Sequence, residues 1–210
     1  MPPVRIGLMG GTFDPIHYGH LFIAEEARAR CNLDRVVFIP NHRPAHRDGK
    51  RARLDAEVRY RLTELAIAGN PFFVASRVEL DRPGPSFAID TVHQLQTELG
   101  AEAELHFIVG SDSLADLKTW HRSEELFRAC RFIALTRPGF DLEATGAGLT
   151  AVQRERIEFV ATMGLEIAST ELRRRCALGL PIRYLAPDKV EEEIRRRSLY
   201  RDAEAEGDWL

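Results

Sequence analysis

Gly10-Gly11-Thr12-Phe13-Asp14-Pro15-Ile16-His17-Tyr18-Gly19-His20 runs straight out of the apolar segment Val4-Arg5-Ile6-Gly7-Leu8-Met9. Val4 to Met9 reads as a buried strand, the glycines and Pro15 as a turn, and Leu21 to Cys31 as an amphipathic helix. The stretch therefore sits where a strand hands over to a helix. Such a junction binds anions, because the first N–H groups of the helix lack partners and its dipole presents a positive end to the crevice beyond the strand.

The same cadence repeats outward from this junction. Arg35 to Pro40 is a second apolar run closed by proline, and Asp55 to Ala68 has leucines and alanines at helical spacing. Phe72 to Leu80 is strand-like, and Ser86 to Leu99 is helical with Ser86 as its cap. Leu105 to Val109 is a strand entering the small polar turn Gly110-Ser111-Asp112-Ser113, with Leu114 to Leu117 and Trp120 beyond it. Arg131 to Thr136 is another strand, ending in Arg137-Pro138-Gly139; Asp141 to Leu149 is a loop, Thr150 to Arg156 a helix and Glu158 to Ala161 a short strand. This alternation predicts an α/β fold: a Rossmann-like parallel sheet with helices on both faces and right-handed crossovers, its site formed by loops at the carboxyl ends of the strands.

The texture changes near residue 166. Ser169 or Thr170 caps a helix that stops before Gly179-Leu180-Pro181, and a last helix covers Asp188 to Arg196 after Pro187. We expect residues 1–165 to form the core, 166–201 a small helical C-terminal appendage, and the acidic 202–210 a disordered tail, all within one domain.

Composition narrows the classes. The 210 residues, 44% hydrophobic, suffice for a full core, and no apolar run approaches the roughly 20 residues that cross a bilayer. A cytoplasmic protein without a membrane partner is expected. Cys31, Cys130 and Cys176 are far apart and lie in helical or apolar patterns, which argues for buried reduced thiols over a disulfide framework or zinc knuckle. A net charge of −3 gives no basic coat for nucleic acid, so no nucleic-acid partner is expected. Charge is nevertheless concentrated in the basic stretch His42 to Arg53, which suits a small polyanion.

At the opening loop, His17 and His20 can face the same side of the turn and grip one phosphate, whose charge would raise their pKa and make them cationic donors. Gly10 and Gly11 allow a ligand close to the backbone, and Thr12 offers a hydroxyl. Two solvated loop histidines beside a tight turn would look the same as a bare H-x-G-H. At the C-terminal helix, Ser169, Thr170 and backbone donors could hold terminal phosphates with Arg173 as a permanently charged fork; alternatively Arg173 belongs to a solvated arginine-rich face. Trp120 is either a core aromatic or a stacking surface, and Asp112 either caps a short helix or accepts a hydrogen bond from a ribose hydroxyl.

Taken whole, Gly10 to Leu21 resembles the signature of the nucleotidyltransferase superfamily with the (T/H)xGH motif. Pro40-Asn41-His42-Arg43-Pro44-Ala45-His46-Arg47 is similar to the substrate loop of bacterial nicotinate-mononucleotide adenylyltransferases, with Ala45 in place of a second proline. Pro85-Ser86-Phe87-Ala88-Ile89-Asp90-Thr91 is similar to that family's P-S-Y-T-x-x-T, with Phe87 for tyrosine and Ala88 for threonine. Ile108 to Ser113, Thr119-Trp120, Arg137-Pro138-Gly139 and Leu185 to Tyr200 also resemble family landmarks. Ala168 to Arg173 resembles I-S-x-T-x-I-R with one residue fewer between serine and threonine.

The resemblance implies adenylyl transfer from ATP to nicotinate mononucleotide, with His17 and His20 catalytic. ATP would be bound by Gly10, Gly11, Thr12, Phe13, His20, Gly110, Asp112, Arg137, Ser169, Thr170 and Arg173. The mononucleotide would be bound by His46, Arg47, Ser86, Phe87, Ala88, Asp112 and Trp120. Mg2+ would travel with ATP, since the sequence shows no dense carboxylate cage. Nicotinamide mononucleotide or another phosphorylated acceptor such as phosphopantetheine, and a non-catalytic nucleotide-binding module, are the competing readings. Oligomeric state is left open, a homo-oligomer included.

Overall fold

In the computed structural model, Gly10 and Gly11 are the last residues of the central strand β1 (Val4–Gly11) of a six-stranded parallel sheet with strand order β3-β2-β1-β4-β5-β6. The residues described are 3–43, 52–100, 102–114, 116–136 and 148–201, with Ser111 and Asp112 described by backbone alone. The other strands are β2 (Arg35–Pro40), β3 (Phe73–Ala75), β4 (Ala103–Gly110), β5 (Arg131–Thr136) and β6 (Ile157–Ala161). The chain builds outward from β1 through β2 to β3, then crosses back to β4 on the other side of β1. The order therefore reverses between β1 and β4, where a doubly wound sheet opens its ligand crevice.

Side chains alternate between the faces, so each strand feeds two cores. On one face Met9, Val36, Phe38, Ile108, Ile133 and Val160 pack against α1 (Tyr18–Arg30) and α2 (Ala56–Ile67). On the other, Leu8, Phe107, Phe132 and Ile157 pack against α3 (Ala88–Leu99) and α5 (Ser123–Ala129). Between β4 and α5 lie the one-turn α4 (Ser111–Leu114) and a 3-10 turn at Leu117–Thr119, whose Leu114 and Leu117 are buried in the second core. α1 can lie close to the sheet because Ala24 and Ala27, its fully buried positions, are small.

α6 (Ala151–Arg154) follows Thr150, whose hydroxyl accepts from the Gln153 N–H while the Gln153 side chain accepts from the Thr150 N–H, a capping box. α7 (Ser169–Ala177) and α8 (Asp188–Arg196) close the chain. Leu172, Val190, Ile194 and Tyr200 from this region share one apolar cluster with Met9 and Phe38. The C-terminal helices are thus packed on the α1 side of the sheet.

Some local expectations change. The strand expected over Phe72 to Leu80 ends at Ala75, because Ser76 closes the β2 ladder and the chain then turns so that Asp81 N–H reaches the Arg77 carbonyl. α5 was not expected from the sequence. The cap on α3 is Phe87, not Ser86, and the cap on α7 is Ala168, not Ser169 or Thr170; neither helix has a side-chain cap. Residues 141–147 of the loop expected over Asp141 to Leu149, and the tail 202–210, lie outside the described residues.

Candidate active site

At the exit of β1 the two glycines leave room for the protein's own aromatic rings. A Cβ on Gly11 would stand 2.9 Å from the Phe13 ring, and one on Gly10 would stand 3.3 Å from the tip of Phe107. The open position is across the crevice at Gly110, the end of β4, where no described atom lies within 4 Å of the Cβ site. Phe13 itself adopts φ 48°, a left-handed conformation that costs a non-glycine residue roughly 1–2 kcal/mol. Burial of its ring, beside Phe38 and edge-on to His20, holds it there.

His17 is the N-cap of α1, and its N–H donates to His20 Nδ1 at 3.3 Å. An accepting Nδ1 places the His20 proton on Nε2, an N–H donor at the helix start with no partner among the described residues. The two rings stack with centroids 3.7 Å apart, and a Cβ on Gly19 would meet the His17 ring at 3.0 Å, so glycine is what admits the pair. Burial lowers the His17 pKa to about 4 and, together with the neighbouring His17, holds His20 well below its usual value. Without a ligand both imidazoles are therefore neutral at pH 7. The cationic state expected from the sequence has to be induced by a phosphate. His17 Nδ1 is buried with no partner among the described residues.

A network from distant parts of the chain holds this loop. Arg59, 1% exposed, donates to the Thr12 carbonyl at 2.6 Å, the Asn41 carbonyl at 2.7 Å and the Leu54 carbonyl at 3.1 Å. Asn41 in turn donates its amide to Thr12 Oγ1 at 3.2 Å, which leaves the threonine hydroxyl hydrogen free to donate elsewhere. The buried Asp14 carboxylate accepts from the Tyr200 hydroxyl at 2.7 Å and from the Arg53 N–H at 2.5 Å. From α7, Ser169 Oγ donates to the Pro15 carbonyl at 2.9 Å and Arg173 to the Asp14 carbonyl at 2.8 Å, with Thr170 Oγ1 accepting from the same guanidinium at 3.1 Å. Ser169, Thr170 and Arg173 are thereby brought to the loop. Arg59, Asp14 and Tyr200 were not singled out from the sequence.

The residues expected to hold the mononucleotide meet in part at the start of α3. Ser86 Oγ accepts from the His42 and Arg43 N–H groups at 3.1 and 3.4 Å, tying the segment after β2 to the start of α3. Beneath it Glu79, 7% exposed, accepts from the Thr91 hydroxyl at 2.7 Å. Burial raises its pKa, and hydrogen bonds from Thr91 and Ser86 oppose that rise. The Phe87 ring stacks on His121 with centroids 4.1 Å apart, and the half-buried Trp120 stands edge-on to Phe107 at 5.6 Å. Since Phe107 also fills the space beside Gly10, aromatic contacts run from Trp120 to the phosphate loop. Ala88 is the first residue of α3. His46, Arg47 and Arg137, together with the side chain of Asp112, lie outside the described residues. Among the described residues no three His, Cys, Asp or Glu side chains converge as a metal site.

Residues 8–175 match the family described as Cytidylyltransferase-like. A Moorella thermoacetica protein named "Probable nicotinate-nucleotide adenylyltransferase" is 48% identical over 95% of this chain and 93% of its own length. An Acidothermus cellulolyticus protein of the same name is 43% identical over 94% of each chain. Among solved structures, a Plasmodium falciparum nicotinic acid mononucleotide adenylyltransferase complexed with NaAD superposes with a TM-score of 0.76 at 18% identity, covering 94% of this chain and 97% of its own. That likeness is one of fold. The chain belongs to the cytidylyltransferase-like family and, within it, to the group of nicotinate-nucleotide adenylyltransferases.

Proposed function

We propose that the chain, as a single domain working in the cytoplasm, transfers the adenylyl group of ATP to nicotinate mononucleotide, giving nicotinate adenine dinucleotide and pyrophosphate in NAD biosynthesis. The observation that carries this is the phosphate loop at the sheet's switch point, with a His20 Nε2–H left free to donate. Homologues named for this activity match over nearly the whole chain.

In the reaction a 5′-phosphate oxygen of the mononucleotide attacks the α-phosphorus in line. The new P–O bond forms as the bond to the β-phosphate breaks, and pyrophosphate leaves with the electron pair. No protein nucleophile is required, so catalysis is positioning plus stabilisation of charge. His20 donates from Nε2 to the transferring phosphate, and the charge arriving there raises the pKa of both stacked imidazoles toward the cationic form. Gly10, Gly11, Thr12 and Phe13 shape the cradle. Ser169, Thr170 and Arg173, with Gly110, Arg137 and Asp112, hold the rest of ATP. His46 and Arg47 anchor the mononucleotide phosphate, the start of α3 at Ser86, Phe87 and Ala88 receives the pyridine carboxylate, and Trp120 stacks on the ring. A divalent cation, Mg2+ in our reading, would neutralise charge on the ATP phosphates while keeping most of its water. The loop's own carboxylate, Asp14, already accepts two protein hydrogen bonds, which fits an ion held by phosphate.

The test is pyrophosphate release from ATP plus nicotinate mononucleotide by the purified chain. Stoichiometric dinucleotide and pyrophosphate are expected; ATP binding without either product would instead identify a silent nucleotide-binding module.

A further inference from the structure

The turn after β3 carries a buried carboxylate to which the proposed reaction gives no part: Glu79, 7% exposed. Its Oε1 accepts from the Thr91 hydroxyl at 2.7 Å, and the Ser86 hydroxyl hydrogen-bonds the same carboxylate. Burying a charge is costly unless donors surround it, so a group kept here at that cost is one whose two acceptor oxygens are in use.

Counting hydrogens shows which of the two hydroxyls depends on it. Ser86 Oγ accepts from the His42 N–H at 3.1 Å and from the Arg43 N–H at 3.4 Å, which occupies both of its lone pairs. Its own hydrogen must therefore point away from that segment, and no acceptor for it other than Glu79 lies among the described residues. The Ser86 N–H meanwhile donates to the Arg43 carbonyl at 3.0 Å, so three hydrogen bonds join residue 86 to the segment after β2. Thr91 is less dependent. Its Oγ1 accepts from Arg82 Nη2 at 2.8 Å, and its hydrogen has a second acceptor in reach, the Phe87 carbonyl at 3.2 Å. Without Glu79 the threonine can turn to its own helix, whereas the serine hydroxyl loses the contact that fixes its direction.

We propose that Glu79 is a positioning residue for the mononucleotide: it fixes the Ser86 hydroxyl and, through it, the clamp between the segment after β2 and the start of α3. The inference rests on the proposed function, which puts the pyridine carboxylate at that start. Two consequences follow from the geometry. The effect belongs to the acceptor and not to ATP, whose phosphates are assigned to the loop after β1. What Ser86 requires is an acceptor oxygen within reach, so reach matters more than charge.

The experiment measures KM for each substrate in the full chain, together with hydrogen exchange at the His42 and Arg43 amides. Glu79→Met keeps the volume and removes the acceptor. It should raise KM for nicotinate mononucleotide roughly tenfold or more, leave KM for ATP within about twofold, and speed exchange at both amides. Glu79→Gln should stay within about threefold of the parent, because its amide oxygen still serves Ser86 while its NH2 donates to Thr91, whose hydrogen turns to Phe87. Glu79→Asp keeps the charge but withdraws it by one methylene; it should fall between the Gln and Met variants, and it carries the test if Glu79→Met does not fold. Thr91→Val should lower the unfolding temperature and leave both KM values within about twofold. Equal rises in the two KM values, or an Asp variant nearer the parent than the Gln variant, would overturn the proposal in favour of a structural or a charge role. A parent chain that forms no dinucleotide would contradict the proposed function and the substrate role with it, whereas exchange alike in all variants would overturn the Glu79 clamp alone.

Discussion

His20 combines a fixed tautomer with a protected position: its Nδ1 is occupied by the His17 N–H, so Nε2–H can face a phosphate without prior rearrangement. Replacing His20 with alanine should lower kcat by roughly 10²-fold or more, the scale of losing one preorganised donor. A change confined to KM would show that His20 only binds. Trp120→Ala should raise KM for the mononucleotide and leave ATP binding nearly unchanged, whereas equal losses for both would remove the stacking role. His17 also makes a stability prediction. Its pKa is about 4 in the folded chain against the ordinary histidine value of 6.5, so the unfolded chain takes up the proton first as pH falls. The folded state is therefore fully favoured above about pH 6.5 and loses about 3 kcal/mol by pH 4 from this group. In urea unfolding at pH 7.5 and pH 4.5, His17→Asn should show a smaller loss than the parent chain. Parallel losses would mean that His17 is not the group responsible.

At the scale of elements, the loop is held by α2, α7 and the residues after α8, and this explains what could be read in advance. β2, β5 and α8 have the bounds expected from sequence, because Pro40 closes the first, Arg137-Pro138-Gly139 the second, and Pro187 precedes the third. The glycine-histidine loop was legible because its signature is contiguous. The network around it was not: Arg59 reaches Thr12 across 47 positions, Arg173 reaches Asp14 across 159, and Tyr200 reaches Asp14 across 186. Local periodicity carries no signal for such pairs, and Arg59 at the start of a helix reads as a surface residue until its burial is seen. Ser86 and Ser169 show the same limit from the other side. Each stands where a cap is expected, yet spends its hydroxyl on a different segment. Tyr200→Phe removes a hydrogen bond to a buried carboxylate and should cost about 1.5–3 kcal/mol in urea unfolding. A loss below a few tenths of a kcal/mol would show that the contact does not tie the C-terminus to the loop.

For the molecule as a whole, the six-stranded sheet reverses its strand order between β1 and β4, and the proposed function puts both phosphate-bearing substrates in the crevice there. In the proposed function the loop side serves ATP, and the start of α3 with Trp120 serves the acceptor, where Phe87 and Ala88 depart from the family pattern. Recognition of the acceptor's carboxylate is thus the most specific role assigned to this crevice. Initial rates of dinucleotide formation from ATP with nicotinate mononucleotide and with nicotinamide mononucleotide, measured side by side, test that role. A pocket built to hydrogen-bond the carboxylate leaves donors unpaired against the amide, so a kcat/KM preference for the acid of roughly 10²-fold or more is expected. Equal use of the two, or preference for the amide, would rule out a carboxylate-reading pocket at the start of α3.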